Sequence, residues 1–321
     1  MYPRDNPHGE TTTVSVPAVR SVGLRAWALV RALRPKQWAK NILVFLPFAF
    51  SVHERWSPDQ PGEAALLLGQ ASLTFLLFCL LSSAVYLVND AVDAPRDRLH
   101  PRKRYRPIAS GALPVGVAWI AAGLLAVAGV AGSFVLGPGL GGVALIYLAS
   151  TTAYTFLLKR LVLLDVMALS AGYILRAVAG AVALAAPISP WLYVVTGLGA
   201  LLIGIGKRRN ELALAQGSAS HQRPVLGQYT LPLLDQLLAI AATSTLVAYI
   251  LYTFTAPNAP RNHALMLTIP FVLFGLFRYL YLVYSRNMGE APEDVLLTDK
   301  PILIAVGLWL LTAVVVLGLM R

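Results

Sequence analysis

Cysteine is almost absent from this sequence. Cys79 is the only one in 321 residues, and it lies inside an apolar run. Disulfide bonds within the chain and a cysteine-based metal centre are therefore excluded. Cys79 itself is expected to be a small, buried apolar side chain.

Charged residues are also scarce. They make up 13% of the chain, whereas hydrophobic residues make up 57%. Several runs of about 20 residues carry no charge at all, which is typical of a polytopic membrane protein and excludes an ordinary soluble domain. The expected fold class is all-α, a bundle of about nine transmembrane helices.

Nine apolar runs predict these helices. The first is short and contains Pro47, so we expect a tilted or kinked helix that begins nearer Arg34. Residues 1–20 are polar and lack the ordered regions of a signal peptide, which predicts a disordered cytoplasmic tail before a single transmembrane domain, 21–321. The runs are 38–52, 65–88, 113–136, 139–158, 161–184, 190–206, 229–254, 264–284 and 301–320.

Basic residues outnumber acidic ones and give a formal charge of +11. Most of the 26 Lys and Arg lie in the tail and on alternate connections, so the N-terminus and these connections should face the cytoplasm. Basic residues beside apolar spans also contact anionic lipid headgroups. Membrane lipids are therefore expected partners, and nucleic acid is not.

One stretch concentrates the charge: residues 86–111 read YLVNDAVDAPRDRLHPRKRYRPIASG. Asp90, Asp93 and Asp97 are spaced three and four residues apart, which places them on one face of a helix, and Asn89 lies beside them. Carboxylate and amide oxygens suit Mg²⁺, which also binds substrate phosphates. We therefore predict that these four side chains bind Mg²⁺ and that the three aspartates are catalytic.

A solvated surface is the alternative, with the aspartates paired to nearby Arg96 and Arg98. The position of the carboxylates at the end of an apolar span, where charge is costly and usually functional, favours the metal site. The basic residues that follow can neutralise phosphate, and Lys103, Arg104 and Arg106 are candidates to do so.

The NDxxDxxxD pattern of residues 89–97 resembles the first Asp-rich motif of the UbiA-type prenyltransferase superfamily. Members are intramembrane helical bundles that use Mg²⁺ and a diphosphate substrate. RPKQWAKN at 34–41, HPRKRYRPIASG at 100–111 and GKRRNEL at 206–212 resemble its decaprenyl-phosphate phosphoribosyltransferase branch. The resemblance runs from about residue 24 to the last helix.

This resemblance implies an enzyme of the plasma membrane with a cytoplasmic active site. The branch transfers 5-phosphoribosyl from phosphoribosyl diphosphate to a polyprenyl phosphate, releasing diphosphate, for cell-wall arabinan precursors. One departure from the wider superfamily supports the branch: its usual second Asp-rich motif is replaced by GKRRNEL, whose only acid is Glu211. Fewer carboxylates and more cations suit a substrate with an additional phosphate. The site loops are then 89–111 and 207–228.

Further site residues follow from the resemblance. Lys207 and Arg208 would bind substrate phosphate, Glu211 would contact metal-bound water or ribose, and Lys40 and Asn41 match the RPxQWxKN pattern. Without the resemblance, Lys207 and Glu211 could simply be an exposed ion pair on one helix face. Lys40 could be an anchor at the membrane interface.

Arg176 is a charge deep within a span, which requires a partner or a polar cavity. Asp165 lies about 16 Å away along a helix axis, so each needs a partner on another helix. Two roles stay open for Arg176: a structural bridge to another helix, and a contact with substrate phosphate. Tyr86 and Tyr154 are candidates for the pocket lining or for interfacial anchors, and Lys159 is a further candidate for substrate binding.

Two other functions stay open. A UbiA-type enzyme could use an isoprenyl diphosphate and an aromatic or haem acceptor, and a lipid transporter or scaffold would perform no chemistry. The sequence does not determine whether the chain forms a homo-oligomer.

Overall fold

The computed structural model describes residues 22–187, 190–214, 224–256, 260, 262–285 and 298–319. Within these ranges the regular elements are helices, apart from an isolated bridge between Val52 and Trp56. The predicted all-α class is confirmed. The predicted tail and residues 215–223 of the second site loop lie outside the described residues.

The α-helices are Val22–Ala32 (α1), Leu46–Phe50 (α2), Pro61–Asp97 (α3), Val115–Leu136 (α4), Pro138–Phe156 (α5), Leu164–Ala183 (α6), Pro190–Leu214 (α7), Leu231–Thr255 (α8), Ile269–Ser285 (α9) and Lys300–Leu319 (α10).

Seven helical segments of the described chain are long and apolar enough to cross a membrane. They correspond to α3, α4, α5, α6, α8, α9 and α10, with the 3₁₀ turns that adjoin α5 and α9. The predicted count of nine is not confirmed. Proline in the first turn of α3, α5 and α8 sets where these helices begin, because proline has no N–H to leave unpaired there.

The first predicted span is helical but changes type along its length. It begins as a 3₁₀ helix, Pro35–Phe45, and continues as the short helix α2. The start beside Arg34 and the break near Pro47 agree with the kinked helix expected from the sequence. The 3₁₀ helix packs against α6 at Gly180, where a β-carbon would overlap the carbonyl oxygen of Val44. Glycine at this position therefore permits the close approach.

Several helix ends meet at one end of the bundle. Helix α3 ends at Asp97, and the loop after it returns through a 3₁₀ turn at Lys103–Tyr105. Helix α5 is followed by a second such turn, Leu158–Arg160, before α6 begins at Leu164. These ends and the last turns of α7 surround the candidate site, whereas large apolar side chains on α4, α8 and α10 are exposed and suit contact with lipid.

Candidate active site

A cavity of about 580 Å³ lies among α3, α5, α6, α7 and the 3₁₀ helix Pro35–Phe45. It brings together most of the residues proposed from the sequence. The predicted residues on its wall are Lys40, Tyr86, Asn89, Asp93, Asp97, Lys103, Arg106, Tyr154, Arg176, Lys207, Arg208 and Glu211. Within the described chain, Asn41, Asp90, Arg104 and Lys159 are not part of that wall.

Asp90 lies behind the cavity wall and is held by two arginines. Its Oδ1 accepts hydrogen bonds from Arg34 Nη2 at 2.6 Å and from Arg106 Nη1 at 3.1 Å. The guanidinium of Arg34 also lies over the ring of Tyr86, 5.2 Å from its centroid. Asp90 therefore positions two cations.

The other two aspartates are also paired. Asp97 Oδ2 accepts from Arg106 Nη1 at 2.7 Å, so this arginine bridges Asp90 and Asp97. Asp93 Oδ1 accepts from Lys159 Nζ at 2.7 Å. Asp90 and Asp97 are only 3% and 4% exposed. Asp90 and Asp97 therefore do not form a solvated surface, and the cationic partners of the three aspartates are Arg34, Arg106 and Lys159.

The aspartates do not converge into a preformed metal cage. Among the residues that the structure describes, no group of three or more His, Cys, Asp or Glu side chains is arranged to hold an ion. The cavity wall nevertheless carries the oxygens of Asn89, Asp93 and Asp97. This donor set matches the preference of Mg²⁺ for carboxylate and amide oxygens together with water and substrate phosphate. The residues therefore fit a Mg²⁺ ion that binds together with a phosphate-bearing substrate.

Arg176 forms a buried junction on the wall of the cavity. It donates from Nε to Asn41 Oδ1 at 2.6 Å, from Nη1 to Gly172 O at 2.7 Å and from Nη2 to Tyr147 OH at 2.7 Å. Asn41 in turn donates to Ser82 Oγ at 3.2 Å. The expectation that Arg176 has a partner on another element is confirmed. Since Arg176 also lines the cavity, the structural role does not exclude a phosphate contact.

Arg208 lies at the centre of a second buried network. Its Nε is 2.6 Å from Asp165 Oδ2, and its Nη1 is 2.8 Å from Glu211 Oε2. Arg208 and Asp165 are both completely buried. Asp165 therefore finds its partner on α7, as expected for a residue too distant from Arg176.

Tyr229, just before α8, completes this network. Its hydroxyl donates to Asp165 Oδ1 at 2.7 Å and accepts from the backbone N–H of Leu163 at 2.8 Å. Burial, together with the hydrogen bond to Asp165, raises the pKa of Tyr229 above its ordinary value. The hydroxyl therefore stays protonated and keeps donating to the carboxylate.

The remaining basic residues divide between the cavity and its surroundings. Lys207 lines the cavity with Glu211, and Glu211 forms an ion pair with Arg208, three residues earlier. Arg209 is not part of the cavity wall; it pairs with Asp235 at 2.6 Å and lies over the ring of Tyr284. Arg104 is exposed and donates to the hydroxyl of its neighbour Tyr105.

Site residues that the sequence analysis did not propose include Arg34, Arg102, Tyr147 and Asp165. Arg34 begins the RPKQWAKN stretch, and its pairing with Asp90 is formed by the tertiary structure. Asp165 carried a signal as an isolated acid at the start of a span. Tyr147 lies in an apolar run and carried none.

The cavity is strongly cationic. The acidic residues on its wall are Asp93, Asp97 and Glu211, whereas the basic ones are Arg34, Lys40, Arg102, Lys103, Arg106, Arg176, Lys207 and Arg208. Positive charge confined to a cleft attracts polyanions, and arginine can grip phosphate through two parallel hydrogen bonds. The arrangement is suited to a substrate with several phosphate groups.

Named relatives match most of the chain. The decaprenyl-phosphate phosphoribosyltransferase of Mycolicibacterium smegmatis is 36% identical over 291 residues, covering 88% of this chain and 90% of the relative. The protein of the same name from Corynebacterium glutamicum is 34% identical, with 91% and 87% of the two chains covered.

The fold is similar to that of a solved UbiA homologue from Archaeoglobus fulgidus bound to GPP and Mg²⁺. The TM-score is 0.69 at 18% identity, covering 91% of this chain and 100% of the homologue. A model of the UbiA prenyltransferase family matches residues 42–297. The chain is a multi-pass membrane protein that belongs to the UbiA prenyltransferase family.

Proposed function

We propose that this protein transfers the 5-phosphoribosyl group of phosphoribosyl diphosphate to a polyprenyl phosphate and releases diphosphate. The observation that carries the proposal is the excess of basic over acidic residues on the cavity wall. The relatives named decaprenyl-phosphate phosphoribosyltransferase, matched over nearly their whole length, support it.

The number of cations favours this donor over an isoprenyl diphosphate. Phosphoribosyl diphosphate carries a 5-phosphate as well as the diphosphate, and the acceptor brings a fourth phosphate. Cations reach the cavity from both sides: Arg106 and Lys103 from the loop after α3, and Lys207 and Arg208 from α7. A single diphosphate would leave part of this charge uncompensated.

Asn89, Asp93 and Asp97 would hold Mg²⁺, and Asp90 stays a predicted ligand in addition to holding Arg34 and Arg106. When bound, the ion would neutralise charge on the leaving diphosphate. A divalent ion is consistent with the family, since the Archaeoglobus homologue was solved with Mg²⁺.

In the proposed reaction, an oxygen of the lipid phosphate attacks C1 of the ribose. The bond between C1 and the diphosphate oxygen breaks, and its electron pair leaves with diphosphate. The acceptor phosphate is already anionic at neutral pH, so no strong general base is needed. The role of the protein is to bind and orient: Arg106, Lys207 and Arg208 would fix phosphate groups and stabilise charge as it develops.

The proposed location is the plasma membrane, with the cavity facing the cytoplasm. The basic loop after α3 and the basic end of α7 border the same cavity, and the positive-inside rule assigns such ends to the cytoplasmic side. A lipid acceptor could then keep its tail in the bilayer while its phosphate meets a water-soluble sugar. The product is expected to serve cell-wall arabinan synthesis.

The test is transfer of radiolabelled phosphoribosyl diphosphate to a lipid-extractable product by purified protein and decaprenyl phosphate. We expect labelled lipid and released diphosphate in the presence of Mg²⁺ and neither after chelation. Labelled product from an isoprenyl diphosphate and an aromatic acceptor, with none from phosphoribosyl diphosphate, would assign the other UbiA-type reaction. Lipid binding without any released diphosphate would assign a transporter or scaffold.

A further inference from the structure

A second cavity, of about 250 Å³, lies between α7, α9 and α10. Carbon atoms form nearly all of its lining, which includes Leu202 on α7, Phe271 on α9 and Ile302 on α10. Unlike the cationic cavity, it offers almost no partners for a charged or hydrogen-bonding group. Its chemistry suits a hydrocarbon chain.

The two cavities are neighbours across one helix. Ile203 of α7 lines both of them. Ala200 and Gly204 belong to the cationic cavity, and Gly199 and Leu202 belong to the apolar one. A molecule with an anionic head and an apolar chain could therefore place its head on one side of Ile203 and its chain on the other.

The apolar cavity also reaches the lipid-facing surface. Val306 of α10 is part of its lining and is 50% exposed, within a helix long and apolar enough to span the membrane. Apolar side chains exposed on such a helix face the bilayer. The cavity thus lies between the neighbourhood of the cationic site and the hydrocarbon region.

We propose that the apolar cavity receives the isoprenoid segment next to the phosphate of the lipid acceptor, whose tail continues past α10 into the bilayer. This inference rests on the proposed function. The acceptor is the occupant that the geometry favours, because it alone among the proposed reactants combines an anionic head with an apolar chain.

The contribution of this cavity is steric rather than hydrophobic. A hydrocarbon chain that moves from lipid into an apolar cavity gains little free energy of transfer, because the bilayer is equally apolar. A defined position for the tail would instead keep it away from the charged side chains while the phosphate reaches them. Filling the cavity should therefore reduce turnover of the isoprenoid acceptor and leave an acceptor without an isoprenoid chain unaffected.

Gly275 of α9 provides a way to fill the cavity. A β-carbon built at Gly275 has no neighbour within 4 Å, so a larger side chain can extend into the cavity that this residue lines. Gly307 of α10 supplies a matched control. A β-carbon there also has no neighbour within 4 Å, but the residue is exposed and does not line the cavity.

The experiment measures kcat/KM for decaprenyl phosphate and for methyl phosphate, which has no isoprenoid chain to place in the cavity, in Gly275→Phe and Gly307→Phe. For Gly275→Phe we expect at least about a tenfold loss with decaprenyl phosphate, by exclusion from a filled pocket, and wild-type values with methyl phosphate. Gly307→Phe should match the wild type with both. Wild-type activity of Gly275→Phe on the long acceptor, or equal losses on both acceptors, would overturn the proposal.

A second measurement does not depend on turnover. Decaprenyl phosphate with a diazirine on the isoprene unit nearest the phosphate is photolysed on wild-type protein, and the labelled peptides are mapped. We expect label on the cavity-lining turns of α9 and α10, displaced by excess decaprenyl phosphate but not by phosphatidylglycerol. Label confined to other helices, or displaced equally by the phospholipid, would overturn the inference. If the lipid labels this cavity while no phosphoribosyl transfer occurs, the proposed function fails and the binding site stands.

Discussion

Arg208 and Asp165 form an ion pair that is almost completely removed from solvent. Arg208 Nε lies 2.6 Å from Asp165 Oδ2, and the two side chains are 1% and 0% exposed. The next residue along α7, Arg209, pairs with Asp235 at the same 2.6 Å, but there the side chains are 13% and 36% exposed. Two adjacent arginines thus provide a comparison in which distance is constant and burial differs.

This comparison predicts different effects of the same substitution. Asp165→Asn leaves Arg208 buried without its full countercharge and should lower the free energy of unfolding by about 3–5 kcal/mol. Asp235→Asn should cost less than about 1 kcal/mol, because solvent screens the partly exposed pair. Thermal unfolding in detergent measures both variants. Equal shifts in Tm would show that burial does not determine how much each ion pair contributes to stability.

The bonding of Arg176 leads to a second prediction. Its guanidinium donates in three directions at once, to Asn41, Gly172 and Tyr147. Lysine keeps the charge but cannot reproduce this planar arrangement, so Arg176→Lys should destabilise the protein by about 1–3 kcal/mol through unsatisfied buried groups. The exposed Arg31 supplies the control, since Arg31→Lys should leave Tm unchanged. Indistinguishable melting curves for the two variants would show that the junction contributes little.

The sequence predicted the helical class and many of the site residues for definite physical reasons. Long uncharged runs require helices in lipid, and the spacing of Asp90, Asp93 and Asp97 requires one helix face. It did not predict the change from 3₁₀ to α-helix near Phe45, or the close packing of Val44 against Gly180. Contacts of this kind are set by tertiary structure and leave no local pattern.

The partners of the charged residues were the least predictable part of the site. Lys159 is 66 residues from Asp93, and Arg34 is 56 residues from Asp90. Spacing along one helix reveals which side chains share a face, but not which other segment supplies the opposite charge. The sequence therefore indicated that Asp165 and Arg176 need partners without identifying them.

The position of Asp93 on the cavity wall predicts a large loss of activity on substitution. Asp93→Asn keeps the size of the side chain but removes a charge proposed to hold Mg²⁺, and kcat should fall by about 10²–10³ or more. Asp59→Asn, in the connection between α2 and α3, is the control, and its activity should equal that of the wild type. Turnover by Asp93→Asn at the wild-type rate, in folded protein, would refute the metal assignment.

The pairing of the aspartates in the present structure predicts how the metal binds. Asp90 and Asp97 share Arg106, and Asp93 is held by Lys159, so an ion arriving alone must compete with cations already in place. When diphosphate is present, the displaced cations gain phosphate oxygens as new partners, which offsets the loss. Metal and diphosphate should therefore bind cooperatively.

Titration with Mn²⁺, followed by electron paramagnetic resonance, measures this coupling with and without inorganic diphosphate. Diphosphate also binds Mn²⁺ in solution, so the protein-bound signal is compared with that of Asp93→Asn at the same free ion concentration. We expect the apparent affinity of the wild type for the ion to rise at least about tenfold with diphosphate, the range typical of coupled sites. Arg106→Gln should bind the ion more tightly alone and show weaker coupling, because Asp97 loses its paired cation and one phosphate partner is lost. An affinity of the wild type that does not depend on diphosphate would mean that the ion pairs do not oppose metal binding, and that the carboxylates act as a site independent of the substrate.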